Sequence, residues 1–518
     1  MLKKIVRTIQ SRVFFIALSV FLQLLILFTL MYFVQFSYPV FSIVMMVISW
    51  IVAFVVLNRD QNPQFKLAWT IFILALPLLG VGMYFLFGTR RLTKNARQRF
   101  DKVRHEGKGV LMQDGDVLDE IKKQNPQVHG QINYVLKNAE YPVYKEEESR
   151  YFPSGEDVFP HIKEDLQKAK DFIFIEFFII GMGHMWEDIL LILIQKKKEG
   201  VDVRVMYDDF GSTRAIPYRY HKKLEKLGIS AVPFHPIRPV FSIIMNNRDH
   251  RKLVVIDGKI GYTGGINIAD EYINEKERFG YWKDNAVRIT GKPVMNMTTM
   301  FLEMWDYAKG ITEDYSVFFP KYDMEKPSGD KEAQHSMGYV LPYADMPLDM
   351  ERLGKIIYLD IINQATDYVY ITTPYMIMDD EMGTALINAS KRGVDVRIVL
   401  PGIPDKKIIY MMGQSNYERL INVGVKIYHY TPGFMHSKSF VSDDIIGVIG
   451  SINLDYRSLY LHFENGVYFY HADVVNDLKN DIVYAISQSE KIDLEFCRKR
   501  PKGIRVMMGI LGIFSPLL

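Results

Sequence analysis

Cysteine is nearly absent from the chain. Its 518 residues hold one, Cys497, so no disulfide forms within the chain and nothing points to a thiolate metal site. An excess of charge is absent too: 63 Lys and Arg stand against 60 Asp and Glu, a formal net charge of +3. That balance removes the global basic signal of a nucleic-acid binder, and no basic groove interleaved with aromatics stands out. Charge is missing altogether from Val13 to Asn58. Gln35 to Pro39 divides this stretch into two runs, Val13 to Val34 and Val40 to Leu57, each near the length that crosses a bilayer as a helix. The second run, and the lack of a small-residue cleavage site, argue against a cleaved signal peptide. A third apolar run, Leu67 to Gly88, contains Pro77, Gly80 and Gly82, which predicts a kinked span or a re-entrant hairpin.

What is present is a repeated pattern. His250-Arg251-Lys252 is followed by Asp257 and then by Gly264-Gly265-Ile266-Asn267. His436-Ser437-Lys438 is followed at the same intervals by Asp443 and by Gly450-Ser451-Ile452-Asn453. One H-x-K-x4-D match is weak evidence; two with the same trailing G-[GS]-x-N are not chance. Each HxK opens an apolar, β-branched run that reads as a buried strand. Side chains alternate along a strand, so His250 and Lys252 share a face, as do His436 and Lys438. An imidazole beside an ammonium can attack phosphorus while the ammonium holds the phosphoryl oxygens. Asp257 lies at an odd offset from His250, and Asp257-Gly258 is a hairpin-turn signal. Asp257 and Asp443 are therefore expected to position the catalytic groups and not to touch phosphate. Asn267 and Asn453 offer amide donors to phosphate oxygens, with Gly265 and Ser451 beside them.

The surroundings of the motifs are duplicated as well. Lys168 to Ile180 matches Gln364 to Met376 in pattern, Gly200 to Val205 matches Gly393 to Ile398, and Leu227-Gly228-Ile229 matches Val423-Gly424-Val425. Helix, strand, helix, strand, twice over, predicts two similar α/β domains with central mixed sheets. The expected organisation is an N-terminal transmembrane region over 1–88, a basic juxtamembrane connector over 89–135, a first domain over 136–320, a charged linker over 321–336 and a second domain over 337–518. In the connector, Arg90, Arg91, Lys94, Arg97, Arg99, Lys102 and Arg104 either lie on anionic headgroups or form a solvated helix face. The first half carries an extra apolar piece, Ile237 to Met245, read as a strand, a buried lid or a loop dipping into lipid. The apolar end from Gly503 is too short to span and reads as an interfacial or packed helix.

The double motif resembles the phospholipase D superfamily. Asn62-Pro63, Leu67-Ala68-Trp69, Pro77, Gly80, Tyr84 to Gly88 and the Ser515-Pro516-Leu517-Leu518 ending are similar to bacterial cardiolipin synthases. The resemblance implies two tandem phospholipase D-like domains behind an α-helical membrane region. It further implies phosphatidyl transfer between two phosphatidylglycerol molecules, giving cardiolipin and glycerol through a phosphohistidine, without cofactor or metal. The first-motif histidine, His250, is then the nucleophile and His436 the acid and base. In the superfamily an acidic residue downstream of each motif hydrogen-bonds the catalytic imidazole; here Asp284 and Glu464 stand in those places. The implied partners are phosphatidylglycerol and membrane lipids, with no nucleic acid. Hydrolytic phospholipase D activity and a membrane-anchored phosphodiesterase or nuclease of the same superfamily are the alternatives. The resemblance implies a bacterial plasma-membrane protein, and the basic clusters at Lys3 to Arg12 and Arg90 to Arg104 predict two spans, a re-entrant third segment and cytoplasmic catalytic domains.

Overall fold

The computed structural model describes residues 38–88, 94–107, 110–237, 246–320, 338–348 and 351–517, with scattered positions between 14 and 33. Part of the first apolar run, the piece from 238 to 245 and the linker 321–336 lie outside the described residues.

Helix α1 (Pro39–Leu57) is 19 residues long with a mean hydropathy of 2.8 in its most apolar window, 17% of which is buried. It is the one helix among the described residues long and apolar enough to cross a membrane. The third apolar run is broken, as its Pro and Gly residues predict. Helix α2 (Pro63–Ala75) stops at Leu76, whose backbone is extended, and α3 (Pro77–Met83) starts with the proline at its first position. α3 folds back so closely that a Cβ on Gly80 would lie 2.5 Å from the Ile73 Cα. A π-helical turn, Tyr84–Gly88, ends the segment. Asn62 caps α2 with its Oδ1 on the Gln64 amide. Its Nδ2 donates to the Tyr460 hydroxyl at 2.9 Å and to Asp379 at 3.2 Å. The N-terminal helices are thereby joined to the α/β part of the chain by a buried polar contact.

Two mixed sheets follow. The first, in the order β2-β9-β7-β6-β3-β4-β5, comprises β2 (Ser149–Phe152), β3 (Phe172–Phe177), β4 (Asp202–Asp208), β5 (Ser230–Phe234), β6 (Lys252–Ile256), β7 (Ile260–Gly264) and β9 (Ala286–Thr290). The second runs β1-β10-β19-β17-β16-β11-β13-β14-β20. Its strands are β1 (Tyr144–Lys145), β10 (Tyr339–Asp345), β11 (Tyr368–Thr372), β13 (Asp395–Pro401), β14 (Lys426–Tyr430), β16 (Ser439–Ser442), β17 (Ile446–Gly450), β19 (Glu464–Tyr470) and β20 (Ser489–Ile492). In each, three strands are parallel (β3-β4-β5; β11-β13-β14) and the motif strand joins them antiparallel. The continuous apolar runs explain this: every residue of β3, β6, β11 and β16 is buried, the mark of strands covered on both faces.

The two halves are not separate bodies. β1, inside the segment expected to open the first domain, pairs instead with β10 of the second sheet. Helix α4 (Pro126–Ala139) packs on α6 (Leu353–Gln364), with Gln131 bonded to the Ile357 carbonyl and the Tyr468 hydroxyl. Helix α5 (Val294–Lys309), all but continuously buried, touches strands of both sheets. The C-terminal helix α7 (Lys502–Phe514) packs on α2 with Ile504, Val506, Met507, Ile510 and Ile513 exposed, so the end of the chain is both packed and apolar outward.

Candidate active site

Each motif enters the site just before its strand. Asp257 and Gly258 are the central residues of the three-residue turn 257–259 between β6 and β7, both at positive φ (53° and 62°), closed by the Lys259 amide on the Ile256 carbonyl. The Asp257 carboxylate accepts the backbone amides of Lys170, Asp171 and Phe172 at 2.8–2.9 Å. Asp443 does the same in the second half, accepting from Thr366, Asp367 and Tyr368 at 2.8–3.0 Å. Both aspartates tie the motif hairpin to the start of the neighbouring strand.

The histidines are held across the two halves. The His250 amide donates to the Phe463 carbonyl at 2.8 Å, and its Nδ1 lies 2.9 Å from Glu464 Oε2. The His436 amide donates to the Lys283 carbonyl at 2.7 Å, and its Nδ1 lies 2.6 Å from Asp284 Oδ2. Each imidazole is thus carried by one repeat and oriented by the carboxylate of the other. Two further contacts lock the junction. The Asn285 side chain donates to Ser439 at 2.9 Å, and Asn465 donates to Thr263 at 2.7 Å. A short parallel pair, β8 (Tyr281–Lys283) with β15 (Gly433–Met435), runs alongside.

Burial and charge set the protonation states. Both carboxylates have no exposed side-chain surface. Burial alone would raise them, yet His250 and its hydrogen bond hold Glu464 far below the usual carboxylate range, and His436 and Lys438 keep Asp284 low. An ionised acceptor draws a hydrogen to Nδ1, which leaves the Nε2 lone pair of each ring for chemistry; at His436 the Lys438 Nζ also lies 2.8 Å from Nδ1. Burial pushes His250 down to about 3 and His436 down to about 4, against the pull of Glu464 and Asp284. Both imidazoles are therefore neutral in the free protein. Burial also pushes Lys252 down to about 8 and Lys438 down to about 7. Each lysine Nζ donates to the backbone carbonyl of its own motif histidine.

The remaining expected residues separate. Ser451 donates its hydroxyl to Glu464 Oε2 at 2.5 Å, so it supports the orienting carboxylate. At Gly265, the matching position, a Cβ would lie 2.0 Å from Asp284 Oδ1; the glycine makes room for the other carboxylate. Asn267 does not present a free amide: its Oδ1 accepts from the Ile179 amide and its Nδ2 donates to the Tyr272 hydroxyl. The expectation of a phosphate donor there gives way to a loop-pinning role. The Asn453 carbonyl oxygen is buried and accepts no hydrogen bond among the described residues.

Several neighbours were not singled out in the sequence. Phe178 packs edge-on to His250 at 5.0 Å, while Trp282, Tyr272 and Phe434 surround His436 at 5.1, 5.4 and 5.6 Å. These aromatics supply the dry walls that depress the imidazoles. His462 lies with its ring 5.7 Å from that of His250. It sits two residues before Glu464.

Comparison with known proteins agrees with this geometry. A family described as cardiolipin synthase, PLD-like domain, matches residues 162–305 and 358–484, and one described as phospholipase D-nuclease N-terminal matches residues 47–88. The chain is 33% identical over 470 residues to a cardiolipin synthase of Geobacillus sp. (strain WCH70), covering 90% of this chain and 91% of that one. It is 31% identical over 510 residues to a cardiolipin synthase of Halalkalibacterium halodurans, covering 97% and 99%. An uncharacterized protein of Streptococcus mutans is 42% identical over 470 residues, covering 89% and 98%. Among solved structures, phosphatidylserine synthase of Haemophilus influenzae aligns with a TM-score of 0.57 at 16% identity, covering 76% of this chain and all of that one; it shares the fold. With both repeats and the N-terminal region matched, the chain belongs to the bacterial cardiolipin synthases of the phospholipase D superfamily.

Proposed function

We propose that the protein transfers a phosphatidyl group from one phosphatidylglycerol to another, releasing glycerol and forming cardiolipin. The observation that carries this reading is the crossed pairing of His250 with Glu464 and of His436 with Asp284, which supplies two oriented imidazoles to one phosphodiester. Neutral His250 attacks phosphorus through Nε2, displacing glycerol and forming a phosphohistidine. The anionic diester offsets the burial that keeps His436 neutral, so His436 takes a proton on binding and gives it to the departing glycerol oxygen. It then removes the proton of the incoming lipid hydroxyl, which attacks the phosphohistidine and frees His250. Lys252 and Lys438 meet the charge that grows on the phosphoryl oxygens. One phosphodiester replaces another at similar energy, so no nucleotide is consumed.

Membrane attachment places donor and acceptor in the same two-dimensional phase as the site. In our reading α1 spans, the segment α2–α3 enters and leaves on one side, and the catalytic sheets face the cytoplasmic leaflet. The exposed apolar side of α7, packed on α2, lies at that surface. The test is purified protein with phosphatidylglycerol as sole lipid and mass spectrometry of the products. Cardiolipin and free glycerol in equal amounts support the transfer; phosphatidic acid as the main product replaces it with hydrolysis.

A further inference from the structure

His462 has no part in the proposed reaction, yet its ring lies 5.7 Å from that of His250 inside the site. Its side chain is 11% exposed, and both ring nitrogens are buried without a hydrogen-bond partner among the described residues. A buried imidazole with neither nitrogen satisfied calls for an explanation such as a bound ion. Its Nδ1 lies 3.7 Å from Glu464 Oε1, while His250 Nδ1 lies 2.9 Å from Glu464 Oε2. One ligand atom from each of His250, His462 and Glu464 falls within 4.8 Å of the others.

Two imidazoles and a carboxylate are a zinc donor set that leaves a fourth position open. Bonds of about 2.0–2.1 Å at a tetrahedral angle separate donor atoms by about 3.4 Å. The two distances from Glu464 bracket that value, so the three side chains lie near the spacing that one ion requires.

We propose that His250, His462 and Glu464 form an inhibitory zinc site. Binding needs no lipid and is independent of the reaction; its inhibitory consequence rests on the reading of His250 as nucleophile. Zinc bonds to the Nδ1 lone pair of His250. The Nδ1–H bond breaks, an N–H bond forms at Nε2, and the ring remains neutral with no net proton released. Nε2 then carries a hydrogen where it carried the attacking lone pair. Glu464 exchanges its hydrogen bond from His250 for a metal bond, and His462 adds one nitrogen.

The test uses the full-length protein in detergent without lipid, with Co2+ as spectroscopic probe and Zn2+ affinity measured by competition with a chromophoric chelator. One equivalent per chain, a tetrahedral Co2+ spectrum, and at least tenfold weaker binding by His462→Asn and His462→Gln are expected. The melting temperature of each variant separates lost ligation from lost fold. Zn2+ is also expected to inhibit turnover, with the inhibiting concentration at least tenfold higher in His462→Asn than in the parent. Equal zinc affinity in parent and variants, or no retained metal in the parent, overturns the site and leaves the transferase reading untouched. Zinc bound through His462 with turnover undiminished overturns the inhibitory role, and with it His250 as nucleophile.

Discussion

His250 is held by Glu464, a residue 214 positions further along the chain and in the other sheet. Its backbone amide is fixed by the residue just before that carboxylate, Phe463, and His436 repeats the arrangement with Lys283 and Asp284. Neither repeat can build a working histidine alone. The site exists only where the two sheets meet, and its orientation is set by two strands that each serve the opposite half.

The crossing makes the carboxylates separable by chemistry. Glu464→Gln removes the ionised acceptor of the His250 Nδ1 hydrogen, so its tautomer is no longer fixed. A loss of about 10²–10⁴ in kcat is expected, in the range seen when a triad aspartate is made an amide. With a donor lipid whose leaving group is p-nitrophenolate, no proton is needed for departure. Asp284→Asn then keeps the first burst of p-nitrophenol and Glu464→Gln loses it. The reverse pattern, measured by stopped-flow absorbance, contradicts the crossed assignment.

Lys252→Met and Lys438→Met each remove a cation from the site of developing charge. Each is expected to cost about 3 kcal/mol of barrier, roughly 10²-fold in turnover, by analogy with oxyanion-hole donors. Near-normal turnover in either variant, with the melting temperature preserved, contradicts the role.

The pH profile follows from the same buried groups. Lysines act here as cations, and the two are pushed down to about 7 and about 8. They are charged below those values and lose the charge as pH rises, so kcat/KM is expected to fall between pH 7 and 8 and not near 10. His250 is pushed down to about 3, so it stays unprotonated and nucleophilic well below its ordinary value of 6.5, and the acid limb lies below pH 5. Since kcat/KM reports the free enzyme, an alkaline limb near 10 contradicts the depressed lysines.

Asp443→Asn probes positioning. Asparagine tolerates the positive φ of this turn but loses the charged acceptor of three backbone amides. A loss of about 1–3 kcal/mol in stability is expected, read as a lower melting temperature, with KM for phosphatidylglycerol unchanged. A large rise in KM without a stability change points to phosphate contact and contradicts the geometry.

Membrane topology is open to labelling. On a Cys497→Ser background, Ile5→Cys, Ser37→Cys and Asp330→Cys are expected to react with an impermeant thiol reagent in intact cells only at position 37. Reaction at 330 with none at 5 restores three spans and places the catalytic sheets outside.

Much of this was legible in the sequence because the chain states it twice. The spacing of His250, Lys252 and Asp257 recurs at His436, Lys438 and Asp443, and the flanking strand patterns recur with them, so the two sheets could be expected. The Asp-Gly pair gave the turn, and the turn gave the aspartates their positioning role. The crossing was not legible. Asp284 follows the first motif in sequence, and nothing in one repeat's pattern reveals that its strand end reaches the other half. Asn267 misled because its residue type fits phosphate as well as it fits Tyr272 and the Ile179 amide; only packing decides. His462 was hidden because a single histidine beside a strand is ordinarily structural. Tyr144 and Lys145 form too short a strand to be assigned to a sheet by periodicity.

The central claim is that His250, set by Glu464, carries the phosphatidyl group between lipids. Protein quenched in acid during turnover of phosphatidylglycerol labelled in its phosphate, then digested and mapped by mass spectrometry, tests it directly. The account predicts label on the peptide bearing His250, absent in Glu464→Gln. Label on His436, or turnover with no labelled histidine in either motif, contradicts it.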